Sequence, residues 1–464
     1  VNLTIDMLKK SLLVVLTTVV GFISEAQENS PYSRYGIGDL VPNQHIANRG
    51  MGGISIAYSD YGLIGSPLNI NLVNPAFLGS LTNTRNFSNT IYDFGAELDF
   101  RTIKSSTTAD KYASRNLSPS YLQVAFPVST KKMEKNGLGW GVAFGLTPIS
   151  RINYKIESFR RDPAVDSINS LYEGTGGISQ FNLSTGFRKT GKGKYKNDFL
   201  IGVSSGLTFG NKDISTKTAI LNDSVQFSKS DYQLNSRFRG VFVKTGFQYA
   251  MNLKRLGVLR LGAYVNLEQQ LTAKQNIINQ TFDFDYSGGV IKIDSIYSVS
   301  EIKGTMVLPM RYGFGFTYQT KNKKWLIGSD FEQTQFTKYR YYDASDFTAD
   351  MWTLRVGLEY YPSKVGATNK RYVEYLKYRA GFYIGPDYIK INDTRNNLVF
   401  TGGLSMPLTT PRSIQTRGEY VTLNTSFEIG SRGANVNSGV KENITRFNFG
   451  IAMNARWFQK RSYD

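Results

Sequence analysis

The sequence predicts an all-β protein: a transmembrane antiparallel β-barrel of about fourteen strands, preceded by an N-terminal region that does not read as strands. Three observations predict it. From about residue 85 onward, one large apolar residue alternates with one small or polar residue in segment after segment. After the N-terminus no apolar stretch reaches about 18 residues, which excludes membrane-spanning helices. The composition favours strands and a crowded barrel wall, with 29 Tyr, 29 Phe and 44 Gly against no Cys and one His.

The alternation is clearest in five places. Trp140, Val142, Phe144 and Leu146 share a face against Gly139, Gly141, Ala143 and Gly145. Phe181, Leu183 and Phe187 oppose Asn182, Ser184, Gly186 and Arg188, and Phe199, Ile201, Val203, Leu207 and Phe209 oppose Gly202, Ser204, Gly206 and Thr208. Leu259, Leu261 and Val265 face away from Arg260, Gly262 and Asn266; Trp352, Leu354, Val356 and Leu358 face away from Thr353, Arg355, Gly357 and Glu359. A soluble sandwich also alternates. The strands here follow one another without helices, and aromatics recur near strand ends, as in Tyr360-Tyr361 and Trp457-Phe458, where an interfacial girdle would place them. Closure into a barrel pairs every backbone group in lipid, which an open sheet cannot do.

The N-terminus reads as an export signal. Met7 serves as the start, Lys9 and Lys10 form a basic region, and the apolar run from Ser11 to Ile23 is short for a retained membrane anchor. Small residues at Ser24 and Ala26 predict cleavage between Ala26 and Gln27. With a barrel to follow, the expected location is the outer membrane of a Gram-negative cell. The domains expected are a signal peptide over 1–26, a region over 27–84 that does not read as strands and a barrel over 85–464. The middle region is rich in Gly, Asn and Ser, and Pro31, Pro42, Pro67 and Pro75 interrupt any long element. Hydrophilic stretches near 104–117, 160–176, 211–236 and 270–300 read as outward loops, and Asn252–Arg255 and Lys321–Lys323 as periplasmic turns.

Lys and Arg number 55 against 36 Asp and Glu, a formal charge of +19. The basic residues are scattered, so the counter-charge expected is lipid headgroups, including lipopolysaccharide phosphates, or simply solvent at loops; no nucleic-acid partner is expected. Catalytic chemistry is not supported. His45 is the only His, without companions for a metal site or a nucleophilic relay, and its simplest role is a hydrogen bond in the plug. Gly36-Ile37-Gly38 follows no strand and opens no helix, so it does not read as a phosphate-binding loop. No cofactor or metal is expected.

Asn74-Pro75-Ala76, preceded by Gly50-Met51-Gly52-Gly53, resembles the N-terminal plug of the FadL-like outer-membrane transporters of long-chain fatty acids and hydrocarbons. The segments Ser30–Leu40, Tyr172–Gln180 and Arg456–Arg461 resemble a Bacteroidota branch of such barrels. The resemblance implies fourteen strands and an internal plug holding Asn74, Pro75 and Ala76. It also implies passive uptake of small hydrophobic molecules through a gap in the wall. Pro148 is then a candidate wall kink; an ordinary bulge or rim bend is the competing reading.

The alternation also places charged residues inward: Arg188, Lys244, Arg260, Glu268, Asp330, Glu332, Arg355, Glu359, Arg379 and Glu428. Such groups are costly to leave unpaired, so cross-barrel ion pairs and a filled interior are expected. A filled interior opposes a wide apolar tunnel. The alternative function is therefore a non-transporting structural or accessory subunit of a larger outer-membrane assembly or secretion complex, with other outer-membrane proteins as partners.

Overall fold

The computed structural model describes residues 30–59, 68–81, 89–105, 111–163, 166–193, 196–222, 225, 227–284, 290–363, 370–391, 393–409, 420–433 and 439–456. The expected signal peptide, its cleavage point, the two ends of the 27–84 segment and the closing aromatics Trp457 and Phe458 lie outside these residues.

The strands close on themselves. In chain order they are β1 (Asn89–Ser105), β2 (Lys111–Pro127), β3 (Leu138–Asp162), β4 (Asp166–Thr190), β5 (Asp198–Leu221) and β6 (Lys229–Asn252). β7 follows in two pieces (Gly257–Asn266 and Gln269–Phe284), as does β8 (Val290–Leu308 and Arg311–Thr320). The rest are β9 (Trp325–Thr334), β10 (Met351–Tyr360), β11 (Lys377–Ile391), β12 (Asp393–Pro407), β13 (Val421–Arg432) and β14 (Val440–Arg456). Each pairs antiparallel with its neighbour, and β14 pairs with β1 from Val440↔Ser105 to Arg456↔Asn89. The result is the expected fourteen-stranded barrel. The breaks in β7 and β8 lie side by side, between the pairs Asn266↔Arg311 and Gln269↔Leu308. Pro309, which has no N–H to give the ladder, sits in the second break.

The four stretches expected as long outward loops are largely strand. β3 and β4 each run 25 residues and pair up to Asp162↔Asp166, while β5 and β6 each run 24. At ~3.3 Å per residue such strands reach about 80 Å, whereas a bilayer needs only about 9–11 residues. The wall from β3 to β8 therefore stands well clear of the membrane. Above the apolar belt both faces meet water, so Asn, Ser, Thr and Lys occupy either side and the alternation that marks a strand is lost. The two expected short turns are present at 253–256 and 321–324.

The outward faces carry the apolar belt. Leu183, Ile201, Leu207, Val241, Phe314, Ile327 and Phe400 each have half or more of their surface exposed. A continuous ring of such residues is stable only against lipid. The inward faces meet the N-terminal residues, whose described parts are almost wholly buried inside the cylinder. Inward glycines make the approach possible. A Cβ on Gly357 would lie 2.2 Å from the Met51 carbonyl oxygen, and one on Gly262 would lie 2.4 Å from that of Ile56.

Candidate functional site

The lumen is the site, and the segment inside it is fixed by its own local chemistry. Asn74 caps the 3₁₀ turn Pro75–Ser80: its side-chain oxygen accepts from the Ala76 N–H at 3.1 Å, and Pro75 occupies the first position, where no donor is needed. The Asn74 amide then donates to the carbonyls of Ile56 at 2.8 Å, Phe247 at 3.0 Å and Ala263 at 3.3 Å. One side chain thus ties two parts of the segment to β6 and β7. Asn74→Ala is expected to lose about 1–3 kcal/mol of stability, because the cap goes and buried carbonyls lose their donor. Chemical denaturation of the folded barrel checks this.

His45 has the structural role expected of it. It caps the helix α1 (Ile46–Arg49), its Nδ1 accepting from the Ala47 N–H at 3.0 Å, while Nε2 lies 2.8 Å from the Asp93 carboxylate. Nδ1 is thereby the unprotonated nitrogen. Its ring stacks on Tyr121 at 5.2 Å.

Arg49, at the end of α1, enters the main charge network. It lies 2.6 Å from Glu97 on β1 and 2.5 Å from Glu428 on β13. Arg446 spans Asp99 at 3.3 Å and Glu428 at 3.6 Å; Arg151 reaches Glu97 at 3.2 Å. Asp39 pairs with Arg101 and, at 2.7 Å, with Arg432. Glu442 and Asp387 complete the set with Arg395, each at 3.0 Å. Six guanidinium groups face six carboxylates, so the network is neutral as a whole. Burial raises the Asp39 pKa, but Arg101, Arg432 and Arg446 outweigh it and hold the carboxyl far below the usual range.

Two smaller groups use the residues singled out by the alternation. Glu332 is shared by Tyr264, by Arg355 at 3.4 Å and by Arg311 at 3.8 Å, and Asp330 accepts from the Ser55 and Ile56 N–H groups. Glu359 pairs with Arg379 at 2.8 Å and Lys377 at 3.5 Å, and accepts from the Tyr58 hydroxyl at 3.0 Å. Lys244 donates to the Leu72 carbonyl at 2.5 Å and Arg260 to that of Ser59 at 3.0 Å.

Two of the ten inward candidates behave differently. Glu268 is exposed at the break in β7, where the pleat resets, so parity counted along an unbroken strand misplaces it. Arg188 faces inward beside Gly139 but has no carboxylate partner among the described residues. Sequence reading missed Asp39, Arg49, Glu97, Asp99, Arg101, Asp387, Arg395, Arg432, Glu442 and Arg446. Those on β1 and β14 alternate with Leu98, Phe100 and Phe447, so the same parity rule would have found them.

Pro148 lies at a register shift in the pairing of β3 with β4, between Pro148↔Ser179 and Ser150↔Ile178. On the other side β3 leaves β2: their pairing runs only from Pro127↔Gly141 to Leu122↔Leu146. Asp39 and Leu40 pair with Arg151 and Ser150, and Arg151 reaches across to the Pro119 carbonyl at 2.9 Å. The wall thus parts beside Pro148, and the N-terminal segment and Arg151 occupy the parting. Among the described residues, two cavities lie in the lumen. One of about 100 Å³ is lined by Arg49, Arg355, Glu428 and Arg446, and one of about 90 Å³ lies between Pro148, Val41, Lys244 and Phe336.

A family model described as BamG matches residues 7–464. The chain belongs to the BamG family. No curated protein matches it. Among solved structures, this BamG-family chain is similar to the Pseudomonas putida toluene transporter TodX, with a TM-score of 0.52 and 14% identity over 90% of this chain and 99% of that one. The Ralstonia pickettii toluene transporter TbuX gives 0.50 at 14% over 90% and 99%, and a Pseudomonas aeruginosa FadL homologue 0.50 at 11% over 90% and 100%. At these identities the likeness lies in the fold, a barrel of FadL type.

Proposed function

We propose that this BamG-family barrel is a non-transporting accessory subunit of a larger outer-membrane assembly or secretion complex, with residues 27–84 as its permanent plug. One observation carries the reading: among the described residues the lumen holds the N-terminal segment and a charge-balanced network, and the cavities there measure about 100 and 90 Å³. Sites for small organic ligands are usually about 300–1,000 Å³ and mostly apolar. No catalytic role is assigned. A second reading, passive uptake of small hydrophobic molecules, is favoured by the parting of β2 from β3 beside Pro148. The segments Ser30–Leu40 and Tyr172–Gln180 support a Bacteroidota origin under either reading.

Purification of the full chain in mild detergent, with identification of co-purifying chains and bound lipids, separates the two. The accessory reading expects stoichiometric outer-membrane partners, and vesicles carrying the purified barrel should take up a hydrophobic probe no faster than empty ones. A barrel isolated alone with a bound fatty acid or hydrocarbon would sink it in favour of the carrier.

A further inference from the structure

The charge of +19 is not spread around the barrel. The main network in the lumen is neutral, so the excess lies elsewhere. The connections that follow β2, β4, β6, β8 and β10 all fall at one end, the end of the short turns. The helix 131–135 there carries three Lys and one Glu, the described residues of 189–196 include Lys189, Lys192 and Lys196, and 254–255 is Lys-Arg. The turn 321–324 holds three Lys, and 370–374 holds Lys370 and Arg371 against Glu374. Nearly all of these side chains are exposed. At the opposite end the signs are mixed: Arg160 and Arg161 accompany Asp162 and Asp166, and Lys338 and Arg340 accompany Asp343, Asp346 and Asp350.

One station of this basic collar has the shape of a site. A cleft of about 350 Å³ opens between the β4–β5 turn and β6, lined by Lys189, Lys196, Asn197, Phe199 and Tyr249. Its frame is braced, since the Asn197 amide donates to the Tyr249 hydroxyl at 3.1 Å and Asn197 Oδ1 accepts from the Asn252 N–H at 3.1 Å. The nearby carboxylate of Asp198 already accepts from Thr190 at 2.5 Å. Phe199 is outward-facing, nearly half exposed and continuous with the lipid belt. The cleft therefore presents two ammonium groups at the water side and an aromatic wall at the acyl side.

We propose that this cleft binds the phosphate of an anionic phospholipid, as the best-formed station of a basic collar that seats the barrel in a negatively charged leaflet. Short turns mark the periplasmic end of outer-membrane barrels. The collar thus faces the phospholipid leaflet and not the lipopolysaccharide, which lies at the tall, charge-mixed end. Its distribution around several turns suits an encircling lipid surface better than a single acidic protein. Lysines snorkel readily to headgroup depth and attract anionic headgroups from there.

The full chain, reconstituted in phosphatidylcholine alone or mixed with phosphatidylglycerol at roughly three to one, is extracted gently and its retained lipids are read by native mass spectrometry. Phosphatidylglycerol should be retained in preference, even with inorganic phosphate in excess. Lys189→Glu with Lys196→Glu should weaken that retention on the order of tenfold. Lys189→Arg with Lys196→Arg should preserve it, and Lys338→Glu with Arg340→Glu at the other end should not alter it. If the double Glu variant fails to insert, Lys189→Gln with Lys196→Gln should show a smaller loss. Equal retention of the two lipids, displacement by inorganic phosphate, stronger retention of lipopolysaccharide, or an acidic protein occupying the collar would each overturn the proposal.

Discussion

Replacing Arg49 with Met is expected to destabilise the barrel by about 3 kcal/mol and to loosen the segment that fills it. Arg49 is buried, and this residue of the N-terminal segment joins β1 to β13 through Glu97 and Glu428. Burial works against its charge, yet the two carboxylates override that and keep the guanidinium protonated. Removing it leaves six buried carboxylates facing five guanidinium groups. Breaking one side of a buried pair typically costs about 3–5 kcal/mol. The lower end applies here, because Arg151 still reaches Glu97 and Arg446 still reaches Glu428. Denaturant midpoints measure the loss, and planar-bilayer recordings should show more frequent openings than the wild type. Adding Glu428→Gln to Arg49→Met rebalances the network and should recover much of the stability. A variant with unchanged midpoint and conductance would mean that the network is not what holds the plug.

The barrel itself was legible because lipid on one face and a packed lumen on the other impose a period of two on every spanning strand. The same rule points Asp330, Glu332, Glu359, Arg379 and Glu428 inward, and in the structure all five are buried. It failed where its premise failed. Glu268 follows a break that resets the pleat, and above the membrane 166–176 and 211–221 are strands whose two faces are both wet. Asp39 and Arg49 were hidden for a different reason. One lies in a two-residue strand and the other at the end of a four-residue helix, elements too short to show a period, so their side-chain directions follow from docking against the wall. The parting beside Pro148 was half visible: a proline in a strand signals a disturbed ladder, but not that β2 stops pairing at Leu122.

Gly202→Ala should be a damaging single methyl in the wall, because it strikes the backbone of the N-terminal segment. Gly202 lies on β5 facing the lumen, and a Cβ there would come 2.3 Å from the Pro75 carbonyl carbon and 2.4 Å from the Ala76 nitrogen. Both are backbone atoms of the 3₁₀ turn, so no rotamer change relieves the clash. Either β5 bows outward or the turn retreats, and a retreating turn pulls Asn74 from the carbonyls of Phe247 and Ala263. Overpacking of this kind costs about 1–3 kcal/mol, and the lost hydrogen bonds of Asn74 bring the expected total to the upper part of that range. The matched control is Gly402→Ala on β12, where the nearest atom to the added methyl is 3.9 Å away. That change should be neutral or slightly stabilising, since alanine reduces the freedom of the unfolded chain. Denaturant midpoints and protease sensitivity of the N-terminal segment distinguish the outcomes. If both alanines behaved alike, the close approach of plug to wall would not be what keeps the lumen filled. If only Gly202→Ala exposed the segment to protease, the inward glycines would be the reason a chain this rich in glycine folds around its own N-terminus.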